Sequence, residues 1–349
     1  MRKAFGYAAQ NAKSPIAPFQ FERRDPGPND VVIQILYCGV CHSDIHQARD
    51  EWGGSIFPMV PGHEIVGRVV EMGQSVTKFK LDEMAAVGCY VDSCRHCPSC
   101  LAGEQNLCYN KIDFTYNSLD KAGAPIFGGY SNFIVVDQVY ALKVSPDLDP
   151  AAAAPLLCAG ITTWSPLTHW NIGKGSKVGV VGLGGLGHMA LKFAHALGAH
   201  VVQFTTSPGK AADAKRLGAD EVVNSKDPDV MQKYANTFDM IVDTVSADHD
   251  LNAYVSLLNR DGNLCMVGLP EKQPSISCML LVMKRRMISG SCNGGLKETQ
   301  EMLDYCAKQN IVSDIEIIPI QKINEAYTRM LNNDVKYRFV IDLASLPKS

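Results

Sequence analysis

Four cysteines constrain the fold of this chain more than any other feature of its sequence. Cys94, Cys97, Cys100 and Cys108 follow the pattern C-x2-C-x2-C-x7-C. Two-residue spacers let one tight loop aim several thiolates at one point, and four thiolates at about 2.3 Å satisfy tetrahedral zinc. A disulfide pair or chance clustering are the alternatives. A closed zinc site is structural, so the pattern predicts a zinc-stabilised lobe and places the chemistry elsewhere in the chain.

Length and composition exclude several classes of protein. The 349 residues suggest two domains, and 46% hydrophobic with 20% charged residues is ordinary for a globular protein. The net charge of −3, without a basic block, predicts neither a nucleic-acid nor a membrane partner. The first residues lack the apolar region of a signal peptide. With no export signal, twelve cysteines indicate metal ligands and buried thiols, and we expect a cytoplasmic protein.

The two parts of the chain differ in their hydrophobic pattern. Before residue 150, short apolar and β-branched runs predict an antiparallel, barrel-like body; they lie at 31–37, 64–72, 84–91 and 131–137. From residue 177, strands alternate with helices, which predicts a parallel sheet; the strands lie at 177–183, 200–204, 221–224, 238–245 and 263–269. A helix at 297–309 and a strand at 336–342 are predicted in the tail. The predicted class is therefore α/β.

A glycine-rich loop follows the first of these parallel strands. Gly182-Leu183-Gly184-Gly185-Leu186-Gly187 matches G-x-G-x-x-G and opens a helix, which is the context that makes this otherwise weak pattern informative. Glycines permit a tight turn and close backbone approach, and a helix N-terminus offers N–H groups to a pyrophosphate. The alternative is a glycine turn without a ligand. The loop predicts a dinucleotide site.

The end of the next strand distinguishes the two nicotinamide cofactors. NAD binding calls for an acidic residue about 20 positions beyond the glycines, to hold the ribose hydroxyls. Here the strand ends in Thr205, Thr206 and Ser207, with Lys210 beyond them and no carboxylate before Asp213. Hydroxyls and a lysine suit a 2′-phosphate, which predicts NADPH. The three hydroxyl residues could equally cap the following helix, and the two interpretations are compatible.

A second candidate metal site is divided among three segments. Cys41, His63 and Cys158 would supply sulfur, nitrogen and sulfur, and a catalytic zinc takes about three protein ligands and keeps one position open. Sequence alone does not bring these segments together. Taken singly, Cys158 is more often a small buried hydrophobic residue and His63 a hydrogen-bonded loop histidine.

Five segments, taken together, resemble a known family. Residues 36–44, 61–67, 156–164, 182–188 and 336–342 resemble the zinc-dependent medium-chain alcohol dehydrogenases. More narrowly, they are similar to the cinnamyl-alcohol-dehydrogenase branch and its bacterial broad-specificity NADPH aldehyde reductases. The match runs from about residue 5 to the C-terminus in the same order. It implies a GroES-like, β-rich catalytic domain formed by residues 1–153 and 290–349, with a Rossmann cofactor domain at 154–289.

The resemblance also implies roles for residues around two zinc ions. Cys41, His63 and Cys158 match the ligands of the catalytic zinc, and Glu64 matches a carboxylate that can take its fourth position. Asp44 matches the carboxylate that orients the ligand histidine. Ser43 and His46 match the proton relay. The structural lobe corresponds to the four cysteines described above.

Cofactor and substrate positions follow from the same resemblance. His42 and Arg338 match positions that contact pyrophosphate, and Thr162 with the Ser291-Cys292-Asn293 stretch lies beside the nicotinamide. The remaining NADP(H) positions are Gly182, Gly184, Gly185, Leu186, Gly187, Thr205, Thr206, Ser207, Lys210, Val267 and Gly268. The substrate pocket is implied at Trp52, Cys89 and Phe114. Two residues depart from the pattern: Leu81 replaces a turn glycine, and Ala211 replaces a second basic residue, which weakens the NADP prediction.

The predicted function is reversible reduction of aromatic and aliphatic aldehydes to primary alcohols with NADPH. One alternative is an NAD-linked alcohol or polyol dehydrogenase. Another is a non-catalytic zinc- and nucleotide-binding protein, which would have lost at least one of Ser43, His46, His63 and Cys158. All four are present. The resemblance further implies a homodimer formed by pairing of edge strands near residues 284–292.

Overall fold

The computed structural model describes residues 1–270 and 272–347 and divides the chain into two compact units. One unit contains Met1–Ile161 and Gly294–Ser349, and the other is the inserted segment Thr162–Asn293. The first unit is thus built from both ends of the chain. The boundaries expected from the sequence, 153/154 and 289/290, fall a few residues before those of the structure.

The strands are numbered in chain order. They are β1 (Arg2–Ala8), β2 (Ala17–Arg23), β3 (Asp30–Gly39), β4 (Ile65–Met72), β5 (Met84–Val87), β6 (Tyr90–Ser93), β7 (Ile112–Phe114), β8 (Ser118–Leu119), β9 (Pro125–Ile126), β10 (Phe133–Asp137), β11 (Leu142–Lys143), β12 (Lys177–Val181), β13 (His200–Thr205), β14 (Glu221–Asn224), β15 (Phe238–Asp243), β16 (Leu258–Met266), β17 (Met287–Gly290), β18 (Ile315–Pro319) and β19 (Arg338–Asp342).

The α-helices are numbered in the same way. They are α1 (His42–Ala48), α2 (Pro98–Ala102), α3 (Pro150–Ala153), α4 (Ala159–His169), α5 (Gly187–Ala196), α6 (Ala211–Arg216), α7 (Pro228–Gln232), α8 (Leu251–Val255), α9 (Cys278–Val282), α10 (Leu296–Gln309) and α11 (Ile323–Leu331). Short 3₁₀ turns lie at Gln105–Leu107, Ala154–Leu157, Pro208–Lys210, Ile320–Lys322 and Leu343–Ser345. In the described part of the chain, none of these helices is long and apolar enough to span a bilayer.

The main sheet of the first unit is centred on the long strand β3. Its strand order is β11-β5-β4-β3-β19-β18, and β10 also pairs with β3. β3 forks because its first half pairs with β10 and its last residues pair with β19. Its register with β4 sets Cys38 opposite Ile65. This pairing brings the segment after β3 next to the segment before β4.

The predicted run 84–91 forms two strands instead of one. β5 pairs with β4 and β11, whereas β6 pairs with β7 in a separate two-stranded sheet. The break falls at Gly88 and Cys89, between the two sheets. The hydrophobic pattern continues across the break because both strands are partly buried, so the pattern alone gives no sign of it.

The inserted unit contains a six-stranded parallel sheet in the order β14-β13-β12-β15-β16-β17. In order of sequence within the unit this is 3-2-1-4-5-6, the arrangement of doubly wound dinucleotide-binding sheets. Its central strands are apolar and buried along almost their whole length, as expected for a parallel sheet covered on both faces. The predicted α/β class and the alternation of strands and helices are confirmed.

Each unit has its own hydrophobic core. The core of the first unit includes Ile33, Ile65 and Phe339, and that of the inserted unit includes Phe204 and Phe238. In the first unit, α10 buries a stripe at i, i+3, i+4 and i+7; its members are Thr299, Met302, Leu303 and Cys306. The two cores hold the loops described next on rigid strands.

Candidate metal centres and cofactor loop

The structure brings the four cysteines of the loop together. The sulfur atoms of Cys94, Cys97, Cys100 and Cys108 all lie within 4.8 Å of one another. The loop leaves β6 at Ser93, and Cys97 precedes the first turn of α2. The Cys97 N–H donates to Cys94 Sγ at 3.4 Å. These backbone turns direct the thiols of one short segment inward.

The spacing of these sulfurs fits a tetrahedral metal. The Sγ–Sγ distances are 3.8 Å for Cys94 and Cys100 and 4.0 Å for Cys97 and Cys108. A tetrahedron with metal–sulfur bonds of 2.3 Å has edges of about 3.8 Å, whereas a disulfide bond is about 2.05 Å long. Backbone N–H groups of His96 and Cys97 near the sulfur lower the pKa of Cys94 to about 5. The lobe thus favours the thiolate form that zinc requires.

Two hydroxyl groups support Cys100 from the core. Ser93 Oγ lies 3.1 Å from Cys100 Sγ and 2.6 Å from the hydroxyl of Tyr140. Burial raises the pKa of Cys100 to about 11, so a hydroxyl donated to its sulfur favours the thiolate. Tyr140 is 1% exposed and belongs to the main core. This chain of hydroxyls joins the lobe to the body of the unit.

A second cluster contains Cys41, His63, Glu64 and Cys158. Their ligand atoms also lie within 4.8 Å of one another, and the two sulfurs are 3.9 Å apart. Cys41 lies between β3 and α1, His63 and Glu64 directly precede β4, and Cys158 lies between a 3₁₀ turn and α4. The pairing of β3 with β4 therefore joins two of the three segments that sequence alone left apart.

The second cluster also fits a metal ion. Cys41 accepts a hydrogen bond from Cys158 and lies beside His63, and these contacts lower the pKa of Cys41 well below its usual value. Glu64 Oε1 accepts from Arg338, but Glu64 Oε2 is buried and has no hydrogen-bond partner within residues 1–270 and 272–347. A Cβ atom at Gly39 would lie 1.9 Å from this oxygen. Glycine therefore leaves space for a carboxylate whose second oxygen is available to a cation.

Asp44 fixes the orientation of His63. Asp44 is fully buried, and its Oδ1 lies 3.2 Å from His63 Nδ1 and accepts from Gly62 N–H at 3.1 Å. Its Oδ2 accepts from Cys41 N–H at 2.9 Å and from the Tyr130 hydroxyl at 3.2 Å. Burial by itself would lower the pKa of His63, but the Asp44 charge and hydrogen bond raise it well above its usual value. With Nδ1 held by Asp44, Nε2 is the ring nitrogen left for a metal.

Ser43 and His46 lie on α1 beside this cluster. Ser43 Oγ is 3.6 Å from Cys41 Sγ. His46 Nδ1 is 2.5 Å from Glu51 Oε2, and its ring stacks on Trp52 with centroids 4.8 Å apart. The His46 side chain is 25% exposed. Its ring is therefore held between a carboxylate and an indole at the solvent boundary, with Nε2 not engaged by Glu51.

The two residues expected at pyrophosphate differ in exposure. His42 is exposed at the start of α1. Arg338 is 4% exposed, and its Nη2 donates to Val40 O at 2.9 Å and to Glu64. Arg338 thus holds one oxygen of Glu64. A contact with pyrophosphate stays a prediction for His42 and Arg338.

One of the expected pocket residues lies close to the second cluster, and another contacts His46. Trp52 contacts the His46 ring, and the Cys89 thiol interacts with Cys158 and donates to Leu157 O at 3.6 Å. Phe114 ends β7 opposite Tyr90 and is 48% exposed. Trp52 and Phe114 are thus large apolar side chains open to solvent, whereas Cys89 lies deeper.

The glycine loop has the geometry that its sequence predicts. It joins β12 to α5, and Gly182 has a positive φ of 89° that favours glycine. A Cβ at Gly187 would lie 2.2 Å from Gly182 O. A Cβ at Gly184 would meet no heavy atom within 4 Å in the described part of the chain. Gly182 thus permits the turn, and Gly187 permits close packing. The open space at Gly184 suits a ligand close to the backbone.

The end of β13 bears on the two interpretations of its hydroxyl residues. Thr205 is buried, and its Oγ1 accepts from Ser207 N–H at 3.1 Å within the turn after the strand, whereas the N-cap residue of α6 is Lys210 and makes no side-chain cap bond. Thr206 and Ser207 are exposed. Lys210 Nζ donates to Leu183 O at 3.1 Å, so it crosses to the glycine loop. Two hydroxyl residues and a cation therefore lie at the strand end, beside the glycines.

The remaining cofactor positions are held by hydrogen bonds within the inserted unit. The N–H groups of Val267 and Gly268 donate to Asp243 O at 2.9 and 3.0 Å. Ser291 N–H donates to Met266 O, and Thr162 Oγ1 donates to Asn293 Oδ1 at 3.2 Å. These residues follow or flank the ends of strands β15 to β17, where doubly wound sheets bind their ligands.

Sequence reasoning missed three contacts of these sites. The Glu51–His46 pair and the Glu64–Arg338 pair lie in the first unit, and the Asp243–His249 pair lies in the inserted unit. The only signal for the Glu51–His46 pair in the sequence was that an acidic residue, Glu51, stands five positions after His46. No local pattern joins Glu64 to Arg338, because 274 residues separate them.

Comparison with known proteins gives matches over the whole chain. Residues 27–146 match the alcohol dehydrogenase GroES-like domain, and residues 185–308 match the zinc-binding dehydrogenase family. The chain is 56% identical to aldehyde reductase YahK of Escherichia coli (strain K12) over 350 residues, with 99% of each chain covered.

Solved structures agree with these matches. A cinnamyl alcohol dehydrogenase from Sorghum bicolor superposes with a TM-score of 0.96 at 41% identity, covering 100% of this chain and 99% of that one. CAD from Helicobacter pylori, solved in complex with NADP(H), superposes with a TM-score of 0.93 at 42% identity, covering 99% of each chain.

Proposed function

Because the chain belongs to the zinc-binding alcohol dehydrogenase family, we propose that it reduces aromatic and aliphatic aldehydes reversibly to primary alcohols with NADPH. The family resemblance and the GroES-like fold expected from the sequence are thereby confirmed. The observation that carries the proposal is the second cluster. Two thiols, an imidazole fixed by a buried carboxylate and an unpaired carboxylate oxygen meet there.

Cys41, His63 and Cys158 would hold the catalytic zinc, and Glu64 would offer a carboxylate oxygen as a fourth ligand. Zinc, when bound, supplies Lewis acidity toward the carbonyl oxygen of an aldehyde. Asp44 keeps Nε2 of His63 directed at the metal through its bond to Nδ1. Arg338 limits Glu64, because its guanidinium retains Oε1 and leaves Oε2 without a hydrogen-bond partner among the described residues.

Ser43 and His46 carry the proton to the product oxygen. Ser43 Oγ lies beside Cys41 and is the hydroxyl that faces the cluster from α1. His46 receives protons from solvent, since imidazole exchanges protons readily near neutral pH. Glu51 accepts the Nδ1 proton of His46 and so leaves Nε2 to exchange protons with the relay. The reduced nicotinamide, when bound, supplies the hydride.

NADPH is bound by the glycine loop and the end of β13. The first turn of α5, with Gly184 open above it, receives the pyrophosphate. Thr206, Ser207 and Lys210 face the 2′-phosphate, and Thr205 supports this turn by accepting a hydrogen bond from Ser207 N–H. The pocket residues Trp52, Cys89 and Phe114 are sulfur-containing or aromatic, which suits apolar aldehydes of varied size.

The enzyme assembles as a homodimer through β17. β17 is the last strand of its sheet in the order described above. Exposed apolar side chains lie on β17 and on the preceding segment that contains α9; they are Met279, Val282, Met283 and Met287. An exposed edge with such side chains favours pairing with a second copy. We place the protein in the cytoplasm, where the thiols of both clusters stay reduced.

An assay of NADPH oxidation tests the proposal. Purified zinc-loaded protein is given benzaldehyde or butanal with NADPH or NADH, and mannitol with NAD is tested in the opposite direction. We expect both aldehydes to be reduced with a higher kcat/KM for NADPH. Efficient oxidation of mannitol with NAD would favour the polyol dehydrogenase instead. Absence of turnover with every pair would contradict the proposal and favour a binding protein.

A further inference from the structure

The loop between β15 and α8 borders the glycine loop. Thr244 Oγ1 donates to Val181 O at 2.7 Å, directly before the first glycine. A Cβ at Gly182 would lie 2.8 Å from Val245 Cγ2, and a Cβ at Gly187 would lie 3.4 Å from Thr244 Oγ1. β12 and β15 are the neighbouring strands at which the strand order reverses. A shift of residues 244–250 therefore changes the turn that receives the dinucleotide.

Asp243 holds this loop through hydrogen bonds at the end of β15. It is 1% exposed, and its Oδ1 accepts from Val245 N–H at 3.1 Å. Its main-chain oxygen accepts from Val267 and Gly268, as described above. A Cβ at Gly268 would lie 2.5 Å from Val245 O, so the two loops are in contact. One buried residue thus fixes two loops at the edge of the cofactor site.

His249 completes the anchor by bonding through both of its ring nitrogens. Nε2 lies 2.9 Å from Asp243 Oδ2, and Nδ1 lies 2.8 Å from Ala247 O. A carbonyl and a carboxylate are both acceptors, so both nitrogens must carry hydrogen. A neutral imidazole has one N–H and satisfies only one of them. The geometry is that of an imidazolium ion.

We propose that the imidazolium of His249 is a positioning group for the dinucleotide, holding residues 244–250 on Asp243 and thereby against the glycine loop. This role rests on the proposed function, because it takes the glycine loop to be the NADPH site. The side chain is 18% exposed and thus partly shielded from solvent. Nothing in the catalytic roles assigned above uses this pair.

The charges around His249 favour its protonated form. Asp243 faces it from β15, and Asp250 faces it from the N-cap of α8. The ring of Tyr254, also on α8, lies against the His249 ring with the two centroids 5.8 Å apart. Asp248 is paired with Lys272 at the exposed rim of the loop. The hydrogen bond and charge of Asp243 raise the pKa of His249 above its usual value near 6.5. Protonation, and the anchor with it, is complete below pH 6.5 and is lost as pH rises through the raised pKa.

NADPH affinity measured against pH tests the inference. The zinc-loaded protein is titrated with NADPH by fluorescence between pH 7 and pH 10, where the 2′-phosphate is already ionised because its second pKa is near 6. We expect the wild-type Kd to increase roughly tenfold over this range, as one charge-assisted hydrogen bond is lost. His249→Gln should show the weaker Kd at pH 7 and a flat profile above it.

His200→Gln is the matched control. His200 is a second histidine of the same unit bonded to a carboxylate, with Nε2 2.6 Å from Glu221 Oε1, but it begins β13 opposite Lys177, and the glycine loop follows the other end of β12. The Kd of His200→Gln for NADPH, and its dependence on pH, should match those of the wild type. In steady state, His249→Gln should raise the KM for NADPH by more than it lowers kcat.

Three other results would contradict the role of His249, and one of them would also contradict the proposed function. A wild-type Kd that is constant from pH 7 to pH 10, or a His249→Gln profile identical to the wild type, overturns the role of His249 and leaves the proposed function intact. Failure of the wild type to bind NADPH at any pH overturns the proposed function and the inference together. The wild-type profile needs no substitution, so a variant that misfolds does not prevent the test.

Discussion

Asp44 shows how a single buried carboxylate organises the proposed catalytic site. It accepts from the backbone of Cys41 and of Gly62 and from the ring of His63. The first two contacts tie the segment after β3 to the segment before β4, and the third selects the nitrogen that faces the metal. The position of a ligand pair is thereby set before any metal binds, which lowers the cost of forming the site.

At the same scale, we predict that the proposed proton relay of Ser43 and His46 is separable from the zinc. Ser43→Ala should lower kcat on the order of several hundredfold, within the roughly 10²–10⁴ that positioned acid–base groups contribute. His46→Ala should lower it less, because water can replace a group at the solvent boundary. Both variants should keep two zinc ions per chain. Stopped-flow and steady-state rates at neutral pH check this, and a Ser43→Ala enzyme with near-normal kcat would refute the relay.

At the scale of elements, we propose that the end of β13 determines the preference for NADPH over NADH. Lys210→Ala should raise the KM for NADPH and barely change that for NADH, because the lysine contributes a charge that only the 2′-phosphate uses. Thr206→Asp should reverse the preference by placing a like charge at an exposed residue that faces the phosphate. Hydrogen bonds to charged groups are worth about 1.5–3 kcal/mol, so a wild-type preference of tens to hundreds-fold is expected. The ratio of kcat/KM for the two cofactors measures it, and a ratio favouring NADH in the wild type would contradict the assignment.

The lobe between β6 and β7 is the second element with a separate test. Cys100→Ser should remove one of two zinc ions and lower the free energy of unfolding by several kcal/mol, because metal binding and folding of such a lobe are coupled. Tyr140→Phe removes the hydroxyl that supports Ser93 and should speed zinc release to a chelator while leaving the fold intact. Cys278→Ser, at an exposed cysteine outside both clusters, is the control. Unchanged zinc content in Cys100→Ser would show that the lobe is not a metal site.

At the scale of the whole molecule, the sequence predicted what is locally encoded. The parallel sheet, the glycine loop and the four-cysteine lobe each depend on residues close together in the chain, and each was found. The fork of β3 and the contact of Glu64 with Arg338 depend on residues far apart, and no periodicity reports them. The three-segment zinc site lies between these cases, since only the family resemblance joined its segments, and the β3–β4 pairing brings together two of the three.

The central claim is that the cluster around Cys158 is the site of NADPH-dependent aldehyde reduction. The most direct measurement is the kcat/KM for benzaldehyde with NADPH, determined with zinc content on the wild type and on Cys158→Ser. The account predicts two zinc ions and turnover in the wild type, and a folded variant that keeps the lobe zinc but has lost turnover. A Cys158→Ser protein that reduces benzaldehyde at a rate near that of the wild type would contradict it.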